Sequence, residues 1–500
     1  MSEPYYDVVV VGGGINGTGV AADAALRGLS VLLCEQGDLA GATSSASTKL
    51  IHGGLRYLEY YEFKLVRQAL KEREILLNVA KHLVKPLNFI LPHQPKTRSI
   101  FEIRLGLFLY DHLAKHPSLP RSKLIKLNQY ALGKYLNPAF KIGFRYSDCR
   151  TDDARLVITN ALQAKKFGAN ILNYTQCISA KRNKDHWQVV LRDQTTGALW
   201  SIKARALINA TGAWVDDFLQ QVDIQSHHHI QLVKGSHLIV KKFFESDEAL
   251  IFQHKDNRVI FVIPYLDQFF LIGTTDINYT GDPNQVAISK DEIDYLLGAV
   301  NTYFSHQIRS EDIIHTYSGV RPLVKSKTDN PAAVTRDYLI ERDETESVAP
   351  MITLFGGKLT TYRIVAEKIV DKLQPFFENL GSSKTAKTPL PGAHFKNHRT
   401  LFDQLKKQYD WLQEEQLQRY INQYGTRTYT LLADCSCYKH LGKEFNGCLY
   451  QREIDYLVRH EWARTTDDIL WRRTKLGYHF LNTSTQNLQD YLATYIQSQD

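Results

Sequence analysis

The feature that most constrains this chain is the run DVVVVGGGINGTGVAADAALRGLSVLLCEQ, residues 7–36. Val8 to Val11 form an unbroken apolar run, the pattern of a parallel strand buried on both faces. Gly12, Gly14 and Gly17 then satisfy G-x-G-x-x-G. An Ala- and Leu-rich stretch from Asn16 to Leu29 reads as a helix, with Gly28 where it would stop. A second apolar strand ends at Glu35. Strand, glycine turn, helix, strand and acid, in that order, specify a dinucleotide-binding unit. The glycines let a pyrophosphate approach the helix N-terminus, and the acid is placed to hold a ribose hydroxyl.

The rest of the chain argues for a flavin rather than a nicotinamide dinucleotide. Instead of further βαβ units, Glu35 is followed by TSSASTKLIHGGLRY at 43–57, a poor helix and a poor strand because its hydroxyls compete for backbone hydrogen bonds. Two more glycine turns come much later, at Gly212 in LINATGAW and at Gly356 and Gly357 in APMITLFGGKLTTYRIVAEKIVDKL. Three such turns, far apart in sequence, suit a long buried FAD. Thr43, Ser44, Ser45, Ser47 and Lys49 are the expected contacts from the hydroxyl loop. The amides of Gly357, Lys358 and Leu359, at a helix start, and the hydroxyl of Thr360 are expected to face the flavin N1/O2 region.

Five hundred residues with a formal charge of +8 fit anionic substrates or an anionic membrane surface, and are too weakly basic to argue for nucleic acid. The six cysteines, at 34, 149, 177, 435, 437 and 448, include no CxxC pair, which suits a reduced intracellular setting. No run of about 18 apolar residues occurs, so no spanning helix is expected. The fold expected over 1–385 is α/β, an FAD domain interleaved with a β-rich substrate domain at roughly 80–145 and 225–330. SSKTAKTPLPG, residues 382–392, reads as a linker, and helical periodicity beyond it marks an α-helical domain over 390–500. Residues 58–82 read as one long amphipathic helix. The stretch 95–126 joins seven Lys/Arg to Leu105, Leu107, Phe108, Leu109 and Tyr110, a pattern suited to a membrane surface. The consecutive histidines 227–229 diverge in direction, so no metal is expected.

Motifs spread from residue 7 to about 477 carry a more specific resemblance: GGGINGTGVAADAALRGLSVLLCE, TSSASTKLIHGGLRYLEYYEF, YSDCRTDDARLV, VKGSHLIV, IGTTD, YSGVRPL, TRDY, FGGKLTTYR and HEWARTTDDILWRRTKLG. Together they resemble the FAD-dependent, quinone-linked, aerobic-type glycerol-3-phosphate dehydrogenase family, whose FAD and substrate domains are similar to glycine and D-amino-acid oxidases. One departure is Ala213 in ATGAW, where the family pattern suggests Pro. The resemblance implies oxidation of sn-glycerol 3-phosphate to dihydroxyacetone phosphate, hydride transfer to flavin N5 and electron delivery to a membrane quinone. It also implies a cytoplasmic protein held peripherally on the inner face of the membrane; a homodimer is compatible with it. The alternatives are a glycerol-3-phosphate oxidase using oxygen and an amine or amino-acid oxidase of the same fold.

Oxidising a secondary alcohol requires a base for the hydroxyl proton and positive charge near the reduced flavin, and a phosphorylated substrate requires a cationic grip. His237 in KGSH is the candidate base, with His52 as rival. Arg321 in SGVRPL and Lys358 are the other candidate catalytic residues. Arg56, Tyr57, Arg321, Arg336 and Lys358 are the candidate substrate contacts.

Overall fold

Val8, Val9 and Val10 are wholly buried. A strand with no solvent face must be covered on both sides, each such side chain contributing about 1.5–3 kcal/mol. Tyr5–Val11 accordingly lies near the middle of an eight-stranded sheet in the computed structural model, which describes residues 3–94, 98–113, 118–253, 258–325, 337–343 and 348–498. It pairs in parallel with Leu199–Asn209 on one side and Val31–Cys34 on the other. Met351–Phe355 and Asn170–Leu172 extend the parallel run outward. The helix Ile15–Leu26 packs against two others, Asp153–Lys166 and Tyr362–Asp371. Thr175–Arg182, Trp187–Asp193 and Leu199–Asn209 form an antiparallel meander, and Gly197 supplies the positive φ of its second turn.

The second sheet has ten strands. It takes Leu50–Ile51, Lys85–Pro92, Lys123–Lys126 and Ile142–Arg150 from the first half of the chain, and six strands between Ile230 and Val324 from the second. It therefore reaches beyond 80–145 at both ends, because the hydroxyl loop itself leads into the short strand Leu50–Ile51, paired with Cys149 and Arg150. Ile230–Lys241 and Ile313–Val324 are antiparallel neighbours, with His237 opposite Tyr317 and Val233 opposite Arg321. The far face is closed by the helix Lys290–Asn301 and by aromatic packing among Phe244, Phe252, Phe270, Tyr303 and Phe304.

The long helix expected at 58–82 is confined to Phe63–Val79. Leu55–Tyr60 before it is a 3₁₀ turn bounded by Gly54 and Tyr61 in left-handed conformations. Beyond residue 397, helices His398–Gln408, Glu414–Tyr424, Gln451–Glu461 and Gln486–Gln497 enclose their own core around Leu405, Leu417, Tyr420 and Leu457. The 382–392 segment, read as a linker, is anchored to the α/β core. Ser383 donates to the buried Asp23 of the first helix, and Thr385 accepts from Arg363, which itself forks onto Glu72. Buried charges on the α/β core need polar partners, and this segment supplies some of them.

Candidate active site

A cavity of about 740 Å³ opens where the glycine turn of the first sheet meets the second sheet. Gly12, Gly14, Glu35, Thr43, Ser44, Ser47, Tyr57, Gly212, His237, Arg321, Gly357, Lys358, Leu359 and Thr360 all line it, so most of the residues singled out by sequence converge on one space. On its glycine wall, a Cβ on Gly12 would lie 2.5 Å from the Ala210 carbonyl oxygen, and φ there is +114°. Gly17 stands behind the wall: a Cβ on it would lie 1.9 Å from the Gly12 oxygen, so it permits helix–strand contact and does not face the cavity. The helix Ile15–Leu26 starts at Gly14 with no side-chain cap and no acid in its first turn, leaving its positive end directed to this space. Glu35 accepts from the amides of Gly13 at 2.6 Å and Gly37 at 2.9 Å. Burial raises its pKa while those two bonds oppose the rise.

The hydroxyl loop reaches the cavity through Thr43, Ser44 and Ser47 but not through Ser45 or Lys49. Its side chains mainly tie the walls together: Ser44 Oγ accepts from the Ile15 amide at 3.0 Å, and Thr43 donates to the Val320 carbonyl at 2.8 Å. Ser45 bonds its own turn at Ala42 and does not line the cavity. Lys49 is turned away as well, its Nζ 2.9 Å from Asp153, because a buried ammonium needs a carboxylate more than a neutral cavity wall does. Burial lowers the Lys49 pKa and Asp153 opposes that shift. Ser47 also donates to Asp153, at 2.7 Å. Arg56 is half-buried in the 3₁₀ turn, over the ring of Tyr60, and does not line the cavity. Arg336 lies outside the described residues.

The second sheet supplies the candidate catalytic side chains His237 and Arg321. His237 is 1 % exposed, stacks on Tyr317 with centroids 4.7 Å apart, and meets Thr48 Oγ1 through Nε2 at 3.0 Å. Burial lowers its pKa well below the usual histidine range, and the charges of Arg321 and Lys49 push the same way. The imidazole is therefore neutral, the form from which a base starts, while the same burial and charges oppose its protonation. Arg321 reaches Asp276 Oδ1 at 2.5 Å and Thr274 Oγ1 at 3.0 Å. Glycines make the room: a Cβ on Gly273 would lie 2.1 Å from the His237 ring, and one on Gly235 would lie 2.5 Å from the Arg321 guanidinium. Across the cavity Lys358 Nζ sits 4.0 Å from the centroid of Tyr57. The rival His52 also lines the cavity, its amide donating to Thr360 Oγ1 at 3.2 Å.

The family model described as FAD dependent oxidoreductase matches residues 7–356, and that described as the C-terminal domain of alpha-glycerophosphate oxidase matches 383–496. Glycerol-3-phosphate dehydrogenase of Pseudomonas aeruginosa is 51% identical over 496 residues, covering 99% of this chain and 95% of that protein. Aerobic glycerol-3-phosphate dehydrogenase of Escherichia coli is 46% identical, covering 98% of each. D-erythritol 1-phosphate dehydrogenase of Brucella abortus is 47% identical, covering 96% of each. The chain belongs to the FAD-dependent glycerol-3-phosphate dehydrogenase family. The solved glycerol-3-phosphate dehydrogenase of Bacillus halodurans, complexed with FAD, aligns with a TM-score of 0.78 at 28% identity, covering 100% of this chain and 91% of that one. Glycine oxidase of Geobacillus kaustophilus shares the fold of the α/β part, with a TM-score of 0.56 at 19% identity, covering 78% of this chain and 99% of that one.

The cavity fits the flavin dinucleotide of this family dehydrogenase. Its volume lies in the upper part of the range for ligand sites, roughly 300–1,000 Å³. Its glycine cradle would close if side chains were added, and Gly357, at φ +102°, brings backbone close to Asn16 beside the helix start. When bound, FAD supplies the two-electron acceptor for alcohol oxidation. Thr48, Thr274 and Asp276 escaped the sequence reading although KGSH and IGTTD mark their neighbourhood; each acts through a partner distant in sequence. Asp38 and Arg472 also line the cavity and were not foreseen.

Proposed function

We propose that this protein oxidises sn-glycerol 3-phosphate to dihydroxyacetone phosphate, with FAD as hydride acceptor and a membrane quinone as the final acceptor. The observation that carries this reading is the pairing, on adjacent strands, of a neutral buried imidazole with a guanidinium whose charge it feels. His237 takes the hydroxyl proton, and Thr48 fixes its ring. Arg321, oriented by Asp276 and Thr274, holds substrate oxygen or phosphate, and Lys358 supplies a second positive charge above Tyr57. The relatives' names support the substrate. One of them, at 47% identity, acts on D-erythritol 1-phosphate, so a longer polyol phosphate is the second reading.

Among the described residues no helix is long and apolar enough to cross a membrane. Peripheral attachment to the inner face of the cytoplasmic membrane is supported by the helix Ile100–Leu113, whose Phe101, Leu105 and Phe108 are 74 %, 49 % and 56 % exposed. Arg104 stands on the same face, and Tyr61 is 81 % exposed in the turn before Phe63. The apolar stripe read from the sequence divides here, since Leu107 and Tyr110 point inward and the Tyr110 hydroxyl donates to Asp148.

Anaerobic titration of the holoenzyme with glycerol 3-phosphate, D-erythritol 1-phosphate and glycine, followed at the flavin band, tests the substrate. Bleaching by glycerol 3-phosphate at the lowest concentration supports the proposal, and preferential bleaching by either other compound overturns it. In air, peroxide formed in step with substrate would replace the quinone by oxygen.

A further inference from the structure

Among the described residues that line the dinucleotide cavity, Arg472 alone comes from beyond Thr360. It belongs to the C-terminal helical domain, on a one-turn π-helix, Asp468–Arg473. Such a turn places two consecutive arginines, 472 and 473, against one carboxylate. Arg472 Nε donates to Asp38 Oδ2 at 2.5 Å, and its Nη2 donates to Asp468 at 2.6 Å. Arg473, wholly buried, forks onto both oxygens of Asp38 at 2.7 Å and donates also to the Glu461 carbonyl. Asp38 is 4 % exposed and itself lines the cavity, in the loop between Glu35 and the hydroxyl segment.

That loop is held to the glycine turn from inside. The Gly37 amide donates to Glu35, the Ala40 amide donates to the Gly13 carbonyl at 3.1 Å, and a Cβ on Gly13 would press on Leu39. From outside it is held by the two arginines. The same C-terminal segment grips the adjoining wall, since Tyr174 donates to Asp468 and Asn173 donates to the Trp462 carbonyl, each at 2.8 Å. Asp468 stays ionised: burial opposes this, but Arg473 and Arg472 hold its pKa below the usual carboxylate range.

We infer that the C-terminal domain is part of the cofactor-holding machinery: Arg472 and Arg473 clamp the Asp38 loop shut against the dinucleotide, so FAD retention and domain docking are coupled. This rests on the family's FAD and is independent of the substrate reading. Arg472 is a positioning residue, acting through Asp38. Coupling is reciprocal, so a clamp that slows FAD loss must itself be tightened by FAD.

The test reads cofactor and docking rather than turnover. Flavin content after gel filtration, and the rate of FAD release followed by recovery of flavin fluorescence, are compared for wild type, Arg472→Gln and Arg464→Gln. The last removes a C-terminal arginine whose contact with Thr195 is long, at 3.4 Å and exposed. Arg472→Gln is expected to release FAD about 5- to 150-fold faster, the usual range of coupling between sites, with Arg464→Gln like wild type. In wild type, removing FAD should lose hydrogen-exchange protection over residues 461–476 while leaving the helices 398–424 unchanged. Wild-type release kinetics in a folded Arg472→Gln, or identical protection of 461–476 with and without FAD, would overturn the inference. The exchange experiment decides it even if the variant does not fold.

Discussion

Replacing Thr48 by Val keeps the side-chain volume and deletes one hydroxyl, 3.0 Å from His237 Nε2. The ring has no other hydrogen bond among the described residues, because Nδ1 is buried without a partner. Val therefore leaves both nitrogens of a 1 % exposed imidazole unsatisfied, held only by stacking on Tyr317. An unpaired buried polar group costs about 1–3 kcal/mol. If that cost is relieved by rotation of the ring away from the substrate, the reductive step slows roughly 5- to 150-fold, since each 1.36 kcal/mol is tenfold. Anaerobic stopped-flow reduction of the bound flavin measures this directly. The limiting rate should fall while the substrate dissociation constant stays close to wild type, because Arg321 and its partners are untouched; Thr48→Ser should restore the rate. A Thr48→Val rate within twofold of wild type, or weaker binding at an unchanged rate, would refute the reasoning.

Further predictions concern the surroundings of the same ring and the exposed helix. Gly273→Ala puts a methyl 2.1 Å from the His237 ring, which must move by about 1 Å or more, so the limiting rate should drop about 100-fold in a protein that still binds FAD. Burial, then Arg321 and Lys49, depress the His237 pKa below its ordinary 6.5. With the neutral ring proposed as the base, kcat/KM should show no acid limb from His237 between pH 6 and 7, and a limb near 6.5 absent in His237→Gln would count against it. The sign for stability is the same: the unfolded chain takes up this proton first, so the fold loses stability as pH falls through 6.5, measurable by urea unfolding at pH 7 and 5.5. Phe101→Ser with Phe108→Ser should cut co-sedimentation with anionic vesicles at least tenfold without altering soluble-acceptor activity, as about 0.8 kcal/mol is lost per CH₂ group withdrawn from lipid.

The parts legible in the sequence are those whose cause is local. Val8–Val11, the glycine turn and Glu35 announce a dinucleotide unit because strand, turn and helix physics act within 30 residues. KGSH, SGVRPL and FGGKLTT pointed to His237, Arg321 and Lys358 through the chemistry of their side chains, and all three line the cavity. What stayed hidden depends on pairings across the chain. Lys49 looked like a cofactor contact until Asp153, 104 residues away, was seen to hold it. Thr48 has no meaning without His237, and Arg472 none without Asp38, 434 residues earlier. Arg56 was expected at the substrate, yet the 3₁₀ turn that follows Gly54 sets it over Tyr60 instead. The segment 382–392 read simply as a linker because composition does not reveal which buried carboxylate awaits its hydroxyls.

The proposed division of labour in one cavity has His237 taking the proton and Arg321 holding the phosphorylated substrate. Its most direct test is anaerobic flavin reduction by glycerol 3-phosphate across a concentration series in wild type, His237→Ala and Arg321→Ala. His237→Ala is expected to lower the limiting rate by about 10²–10⁴ with affinity retained, and Arg321→Ala chiefly to weaken binding. Unchanged rate and affinity in both variants would contradict it.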